Sequence, residues 1–352
     1  MKVVCKYFIL SIVSFMLILA KCYATEVGVY YYPGWKKPGI DTWGPIKKYP
    51  ERRPILGWYK EGEDNVIKQQ LEWMEKYGIT YIAYDWYWDK KTGVKNRTFA
   101  IDSYLRNSKN TKVKFALLWA NHTGTPQSLG EFDNIVNYWL DHYFNNNKYL
   151  TINEMPVVFI FSSGRLEDNA RDFKENTKGL LDHARMLAKK RGYKGIYFIG
   201  SSGYNKNKNL EYKYPDKTYD AISAYNYQIG VDQKGSFQRF STSYLNLAKG
   251  YKKTWISILR ASPLPYIIPV TSGWDRRPWG GSQYPEHDLS FSSPYEFGNM
   301  IRDATQMLKN YPNNTLNNIV ICCWNEFGEG SYIEPTQQYG LKYLEQILKS
   351  IH

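Results

Sequence analysis

The stretch NIVICCWNEFGEGSYIEP, at residues 318–335, is an apolar run that ends abruptly in an amide, two carboxylates and two glycines. Its apolar part predicts a β-strand over residues 318–325. The chain ahead of it alternates between strand-like and helix-like segments, so this strand is the last member of a series. The length of that series decides the fold.

Strand-like and helix-like segments alternate along the chain. Apolar runs rich in β-branched and aromatic residues predict strands at residues 27–33, 79–88, 114–121, 156–163, 195–202, 219–227, 266–274 and 318–325. Apolar residues three and four apart predict helices at residues 64–77, 99–107, 128–144, 167–191, 236–251, 294–310 and 337–350. No helix is evident between the fifth and sixth strands.

Strands that are separated by helices predict a parallel sheet, because each helix returns the chain to the same edge. Eight such strands close a barrel. We therefore predict an α/β fold, a single (β/α)8 barrel over residues 25–352, with longer insertions at 35–62 and 274–293. An open doubly wound sheet is the alternative, but the turn Tyr32-Pro33-Gly34-Trp35 is not a glycine-rich phosphate loop.

The first 24 residues are typical of an export signal. Lys2 and Lys6 precede an apolar run at residues 7–20, and Ala24 provides a small residue for cleavage before Thr25. The alternatives are an uncleaved membrane anchor and a lipoprotein acylated at Cys22. Because the run is shorter than a spanning helix, we predict a secreted or periplasmic protein without a stable membrane span.

The charge and composition favour a glycan over a nucleic acid as the partner. A net charge of +13 could indicate nucleic acid, an anionic surface or an acidic polysaccharide, but the lysines are scattered and form no basic helix or long block. We therefore expect no nucleic-acid partner. The 12 Trp and 32 Tyr residues are numerous, and many lie at predicted strand ends, where sugar rings can stack on them. Cys322 and Cys323 are adjacent, so we predict buried strand residues without a disulfide between them.

The candidate site follows from the fold, because active sites of (β/α)8 barrels form at the carboxyl ends of the strands. Aromatic rings there can stack on sugars, and polar groups can bind hydroxyls. The predicted substrate-binding residues are Tyr31, Tyr32, Trp35, Asp85, Trp86, Trp88, Asn121, His122, Tyr225, Asn226, Trp274, Asp275, Trp324, Asn325 and Glu334. Trp86, Trp274 and Trp324 are expected to line one cleft.

Two carboxylates after the eighth strand are the predicted catalytic residues. Cleavage of a glycosidic bond typically uses one carboxyl group to protonate the leaving oxygen and a second as base or nucleophile. Glu326 and Glu329 supply such a pair, and Gly328 and Gly330 allow the backbone to turn so that both face one pocket. Mutual repulsion would raise one pKa, which suits a general acid. We expect no metal and no cofactor, since the five histidines lack metal-ligand spacing.

Residues 324–335 resemble the Asn-Glu-Trp-x-Glu-Gly…Glu-Pro signature of glycoside hydrolase family 99 and its WbsX-like relatives. Residues 29–35 resemble the tyrosine-rich opening strand of that family, and residues 64–86 resemble its first helix and second strand. The resemblance extends over nearly all of residues 25–352. It implies a (β/α)8 barrel that acts on glycans with retention of configuration and without a metal.

The resemblance also implies a mechanism. In family 99, endo-acting α-mannosidases use the first glutamate of the motif to deprotonate the 2-hydroxyl of the substrate, which closes a 1,2-anhydro sugar. The second glutamate protonates the leaving group and then activates water. Glu326 would be that base and Glu329 that acid/base. Phe327-Gly328 stands where family 99 enzymes have Trp-His, so the chain is more similar to the WbsX-like branch, which is often labelled glycosyltransferase.

The favoured function is a secreted retaining glycoside hydrolase that acts on a polysaccharide or glycan; the resemblance implies an endo-acting, α-mannosidase-like enzyme. One alternative is a glycosyltransferase of polysaccharide biosynthesis, but the export signal and the lack of a phosphate loop or Asp-x-Asp motif count against it. The other alternative is a non-catalytic glycan-binding barrel, which the presence of both Glu326 and Glu329 disfavours.

Overall fold

The computed structural model describes residues 25–37, 39–89, 93–94, 97–204, 212–213 and 218–351. The predicted export signal at residues 1–24 lies outside this part of the chain. Within the described ranges, no helix is long and apolar enough to cross a bilayer.

Eight parallel strands form the centre of the molecule, in the spatial order β6-β5-β4-β3-β2-β1-β8-β7. Val27 in the first strand lies opposite Ile319 in the last, so the first and last barrel strands are neighbours in the sheet. The strands are β1 (Glu26–Tyr31), β2 (Tyr81–Trp86), β3 (Lys114–Trp119), β4 (Met155–Ile160), β5 (Tyr197–Ser201), β6 (Ala221–Ser223), β7 (Ile268–Thr271) and β8 (Asn318–Cys322).

Two backbone hydrogen bonds join β6 to the start of β7. The Ile222 amide donates to the Pro265 carbonyl at 2.8 Å, and the Ile267 amide donates to the Ile222 carbonyl at 2.9 Å. These bonds close the sheet, and the predicted (β/α)8 barrel is confirmed. Between β5 and β6 the described residues form no helix; Gly203–Tyr204 pairs there with Tyr212–Lys213.

Helices surround the barrel, and most of them lie close to their predicted positions. They are α1 (Asp64–Lys76), α2 (Phe99–Asn107), α3 (Leu129–His142), α4 (Ser163–Asp172), α5 (Thr177–Lys190), α6 (Tyr244–Ala261), α7 (Pro294–Asn310) and α8 (Lys342–Ile351). Short 3-10 helices lie at Ile46–Lys48, Pro50–Arg52, Ser108–Asn110, Arg277–Trp279 and Pro285–Leu289.

The predicted helix at residues 167–191 is wrong, because the chain breaks there into α4 and α5. Lys174 has a φ of 60°, which no residue of a right-handed helix adopts. Asn176 then caps α5 by accepting a hydrogen bond from the Gly179 amide at 2.8 Å. The local capping signal therefore overrides the continuous apolar spacing.

The predicted start of the helix at residue 236 is also wrong. Phe237–Gln238 instead pairs with Gly230–Val231 in a short antiparallel ribbon. Ser243 begins α6 by accepting a hydrogen bond from the Asn246 amide at 3.2 Å. Similarly, α8 begins at Lys342 rather than residue 337, after a turn at Gly340 with a φ of 56°.

The alternation of side chains along each strand divides the core into two layers. Odd-numbered residues of β1, such as Val27 and Val29, pack with the helices, whereas Tyr30 packs inside the barrel. The Tyr81 ring also crosses the interior, and it reaches the position that a β-carbon on Gly28 would occupy, at 2.1 Å. Glycine at position 28 is therefore required for this ring to fit.

The prediction that Cys322 and Cys323 are not bonded to each other is wrong. Both are fully buried, as expected, but a disulfide joins them. The peptide between them is cis, so their Cα atoms are 2.9 Å apart.

Candidate active site

A cavity of about 720 Å³ opens at the carboxyl ends of the barrel strands. Residues that end or follow each of the eight strands contribute to its wall. The predicted site residues that line it are Tyr32, Asp85, Trp88, His122, Tyr225, Asn226, Trp274, Glu326 and Glu329.

A tight turn after β8 brings the two glutamates to this cavity. Asn325–Glu326 pairs antiparallel with Ser331–Tyr332, and the Glu329 amide donates to the Glu326 carbonyl at 3.2 Å. Gly330 completes the turn with a φ of 70°. A β-carbon there would lie 2.6 Å from the Asp275 backbone nitrogen, so only glycine fits.

A third carboxyl group, that of Asp85, joins the pair through a tyrosine. The Tyr225 hydroxyl lies 3.1 Å from Asp85 Oδ2 and 3.0 Å from Glu326 Oε1, so its single proton can be donated to either carboxylate. Among the described residues, Asp85 Oδ1 and Glu326 Oε2 have no hydrogen-bond partner although both are buried. Buried polar atoms normally have partners, so these two oxygens are available to a ligand.

The carboxyl groups in the cavity hold their protons more tightly than they would in water. Burial raises the pKa of Glu326 well above its usual range, and the charges of Glu329 and Asp85 raise it further, while Tyr225 and Arg97 act in the opposite direction. Burial also raises the pKa of Glu329 and Asp85. A proton therefore remains within this cluster near neutral pH, which general acid catalysis requires.

Arg97 supplies a positive charge to the same cavity. Its guanidinium lies 4.8 Å from the centre of the Tyr87 ring and donates to the Tyr32 hydroxyl at 3.3 Å. Within the described residues, no group of three or more His, Cys, Asp or Glu side chains is arranged to hold a metal ion.

Several cavity residues were not among the predicted ones. Phe161 follows β4, and Ser201 and Ser202 end or follow β5, so their position at strand ends is the sequence signal that identifies them. Arg97 comes from a turn and Trp279 from a short 3-10 helix, in segments whose sequence has no periodic signal.

Three predicted site residues face the helices instead of the cavity. Tyr31, Trp86 and Trp324 are at most 2% exposed and belong to the core between the barrel and the helices. Successive strand residues point to opposite faces, so Asp85 and Tyr87 face inward and Trp86 faces outward. The expected cleft of Trp86, Trp274 and Trp324 is therefore wrong, since Trp274 alone of these three lines the cavity.

Asn325 and Glu334 are buried behind the cavity wall. The Asn325 side chain accepts from the Tyr32 amide at 2.9 Å and donates to the Tyr32 carbonyl at 3.0 Å, which fixes Tyr32 at the cavity. Glu334 accepts from Gln70 at 2.8 Å and from Tyr59 at 2.9 Å, and burial raises its pKa to about 8. Both residues position the wall and do not line the cavity.

Asn121 and Trp35 are also buried outside the cavity. Asn121 donates to the Ser162 carbonyl at 2.9 Å and accepts from the Ser162 amide at 2.8 Å, which links the ends of β3 and β4. The Trp35 ring stacks on Trp43 within the first insertion.

Asp275 belongs to a buried ion pair and does not line the cavity. Its carboxylate contacts the guanidinium of Arg52, which also donates to the Phe327 carbonyl at 2.7 Å. Arg277 approaches the same carboxylate from the solvent side, with 46% of its side chain exposed. Arg52, from the first insertion, thus binds both the loop after β7, through Asp275, and the loop after β8, through Phe327. These contacts hold the two loops together beneath the site.

We expect Arg52→Met to lower the free energy of unfolding by about 3–5 kcal/mol, because it leaves Asp275 with a buried, partly uncompensated charge. Arg277→Met removes an exposed partner of the same carboxylate and should cost less than about 1 kcal/mol. Urea denaturation of both variants measures the difference. Equal losses would show that the Arg52 pair is not the dominant contact.

The fold and the site together define a (β/α)8 barrel with a carboxylate cluster at the strand ends, the architecture of many glycoside hydrolases. The chain belongs to the WbsX family, because the family model described as "Glycosyltransferase WbsX" matches residues 47–347. Among curated proteins, no sequence matches this chain.

Solved structures with the same fold include several enzymes that act on carbohydrates. The GH99 endo-alpha-mannosidase from Bacteroides thetaiotaomicron in complex with Bis-Tris-propane has a TM-score of 0.63 and 16% identity, over 93% of this chain and 96% of that chain. A glycoside hydrolase-like protein has a TM-score of 0.64 and 15% identity, over 93% and 94%. The β-glucosidase from Thermotoga maritima in complex with glucoimidazole has a TM-score of 0.51 and 11% identity, over 88% and 92%. These likenesses establish the fold.

Proposed function

We propose that this protein is a retaining glycoside hydrolase whose catalytic residues are Glu326 and Glu329. The observation that carries the proposal is that both carboxyl groups line one cavity, next to Asp85 and between aromatic side chains. This arrangement provides the proton donor and the base that glycosidic cleavage needs. The apolar run at residues 7–20 supports action outside the cytoplasm.

In the proposed mechanism, Glu326 deprotonates the 2-hydroxyl of the sugar, and that oxygen closes a 1,2-anhydro ring as the glycosidic bond breaks. Glu329 protonates the departing oxygen and then deprotonates the water that attacks carbon one. As the bond from carbon one to the 2-oxygen breaks, Glu326 returns its proton to that oxygen, so both glutamates regain their starting states. The mechanism requires an ionised Glu326, although burial favours its protonated form. Hydrogen bonds from Tyr225 and from the substrate 2-hydroxyl favour the ionised form, so substrate binding would leave the shared proton on Glu329.

A second lobe of the cavity supports cleavage within a glycan chain. This lobe has a volume of about 320 Å³, and Glu329, Trp274 and Gln228 line both lobes. An acid at the junction can protonate an oxygen between two sugars, with the leaving portion in the lobe that contains Phe240 and Tyr284. We therefore propose endo-acting cleavage.

The proposed sugar is an α-mannoside, on the basis of similarity to family 99, but the contacts at the motif differ. Phe327-Gly328 replaces Trp-His, and the Trp279 ring occupies the space beside Gly328, 2.1 Å from where a β-carbon would lie. Trp279 also lines the cavity. A histidine could not enter this position without moving Trp279, so this chain has the Trp279 ring where the Trp-His motif has a histidine side chain.

A glycan screen tests the proposed activity against the alternatives. The purified protein is incubated with α-mannans and other polysaccharides, with and without nucleotide sugars, and the products are sized by chromatography. Shortened chains of retained anomeric configuration are the expected result. Chains extended only when nucleotide sugars are present would instead favour the glycosyltransferase activity that the family description names. Bound but unchanged glycan would favour a non-catalytic binding protein.

The Tyr225 hydroxyl provides a pH-based test of the role of Glu326. Tyr225→Phe removes a hydrogen bond that lowers the pKa of Glu326, so that pKa should rise further. The base must be ionised, and the acidic limb of the kcat/KM profile should therefore move to higher pH. Tyr193 follows α5 and packs against Phe144, away from the cavity. Tyr193→Phe is therefore the matched control and should leave the pH profile unchanged. An unshifted limb in Tyr225→Phe would remove Glu326 from the base role.

A further inference from the structure

A second cavity lies in the insertion between β1 and α1. It has a volume of about 580 Å³ and is separate from the catalytic cavity, since none of its lining residues lines both. The two cavities are neighbours, because Tyr32 lines the catalytic one and its ring contacts Trp35 of the second at 5.8 Å. The proposed mechanism uses no residue of this second cavity.

Aromatic rings form a fixed wall of the second cavity. The Trp35 and Trp43 rings stack at 3.9 Å, and the Trp43 indole donates to the Tyr59 carbonyl at 2.7 Å. Trp58 packs against Trp43 with a ring separation of 5.3 Å and stays partly exposed. The Arg53 guanidinium lies 5.9 Å from the centre of the Trp58 ring. A partly exposed indole held by buried rings is a suitable platform for the apolar face of a sugar.

The other wall of the cavity is positively charged. Four lysines line it (Lys36, Lys37, Lys47 and Lys60), against one carboxylate, Asp41. Lys47 pairs with that carboxylate at 2.8 Å. Within the described residues, no carboxylate lies within ion-pair distance of Lys37 or Lys60, and both are exposed. Lys36 lies over the Phe99 ring at 4.1 Å, so Lys37 and Lys60 are the exposed charges that an anion in this cavity can meet. Positive charges that line a concave surface raise the local concentration of anions.

We propose that the second cavity binds an acidic sugar residue of the glycan, with its ring against Trp58 and its carboxylate or sulfate group near Lys37 and Lys60. The choice of a carbohydrate as the ligand rests on the proposed function, whereas the requirement for negative charge rests on the lysines. Occupation of this cavity would hold an acidic glycan beside the catalytic cavity without taking part in bond cleavage.

Binding to an array of defined oligosaccharides tests the proposal on the full chain carrying Glu329→Gln, so that the readout is independent of cleavage. The array contains oligogalacturonates, sulfated galactan oligosaccharides and their uncharged counterparts, and the two acidic sets separate carboxylate from sulfate recognition. We expect at least one acidic set to bind more tightly than its uncharged counterpart. The substitutions Lys37→Ala and Lys60→Ala together should weaken that binding about tenfold at low salt.

Two controls separate a defined site from general charge attraction. Lys189→Ala with Lys190→Ala removes the same charge from the exposed end of α5 and should leave acidic binding unchanged. Trp58→Ala should weaken binding by a similar factor at low and high salt, because stacking is not screened. Equal affinity for acidic and uncharged sets, or the same loss in both lysine pairs, would overturn the proposal. Acidic binding without any hydrolysis by the unsubstituted protein would contradict the proposed function and leave this site intact.

Discussion

Glu329→Gln is expected to reduce hydrolysis of the natural glycan about 10²–10⁴-fold, because the amide has the shape of the acid but cannot protonate a leaving oxygen. The fold and glycan binding should be preserved, since Glu329 lies on the cavity surface and its backbone, not its side chain, holds the neighbouring loop. That backbone contact is the bond from the Asp275 amide to the Glu329 carbonyl at 2.7 Å. Initial rates on the glycan, with melting temperature as the check on folding, give the measurement.

An aryl glycoside with a good leaving group should partly rescue the first step, since such a group departs without protonation. The matched control is Glu286→Gln, an exposed glutamate outside both lobes of the catalytic cavity, which should retain full activity. Undiminished activity of purified Glu329→Gln on the natural glycan would rule out the assigned role.

Removal of the substrate 2-hydroxyl should abolish cleavage altogether. If Glu326 acts on that hydroxyl, a substrate in which it is methylated or replaced by hydrogen has lost its internal nucleophile. The matched control is the 3-deoxy substrate, which keeps the 2-hydroxyl and should still be cleaved, although more slowly. The measurement is the cleavage rate of the 2-O-methyl, 2-deoxy and 3-deoxy substrates, followed to the detection limit. Cleavage of the 3-deoxy substrate alone is the expected result.

A 2-fluoro sugar distinguishes this route from direct attack. An ordinary retaining enzyme with Glu326 as nucleophile would form a glycosyl ester on that residue, and the fluorine would slow its hydrolysis enough to trap it. Mass spectrometry of the Glu326 peptide is expected to find no such ester. A trapped ester would refute the neighbouring-group route and leave the hydrolase proposal in place.

The hydrolytic activity of the unsubstituted protein should also depend on pH. The general acid must be protonated, and burial raises the pKa of Glu329. Activity should therefore persist to higher pH than an exposed glutamate would allow, and it should decline as Glu329 ionises.

Much of the fold could be predicted because its signals are local. The helix at Phe99–Asn107 and that at Pro294–Asn310 have their predicted bounds, since apolar spacing acts within a few residues. The start of the second helix is also marked by Ser293, which caps it, and by Pro294. The single helix predicted at residues 167–191 is wrong, and the cause is also a local signal. A break at Lys174 and a cap at Asn176 divide this segment into two helices.

The sequence by itself determined the number and order of the strands, and it determined that Glu326 and Glu329 share one turn, because periodicity and glycine positions are properties of neighbouring residues. Only the tertiary structure decided which strand-end residues face the cavity. Closure of the barrel turns Asp85 inward and Trp86 toward the helices. It also brings Arg52 into contact with Asp275, which lies 223 positions further along the chain. Asp275, a predicted substrate-binding residue, is therefore a member of a buried ion pair. Contacts of that kind depend on where distant segments meet in the folded chain. The spacing of residues within one segment does not predict them.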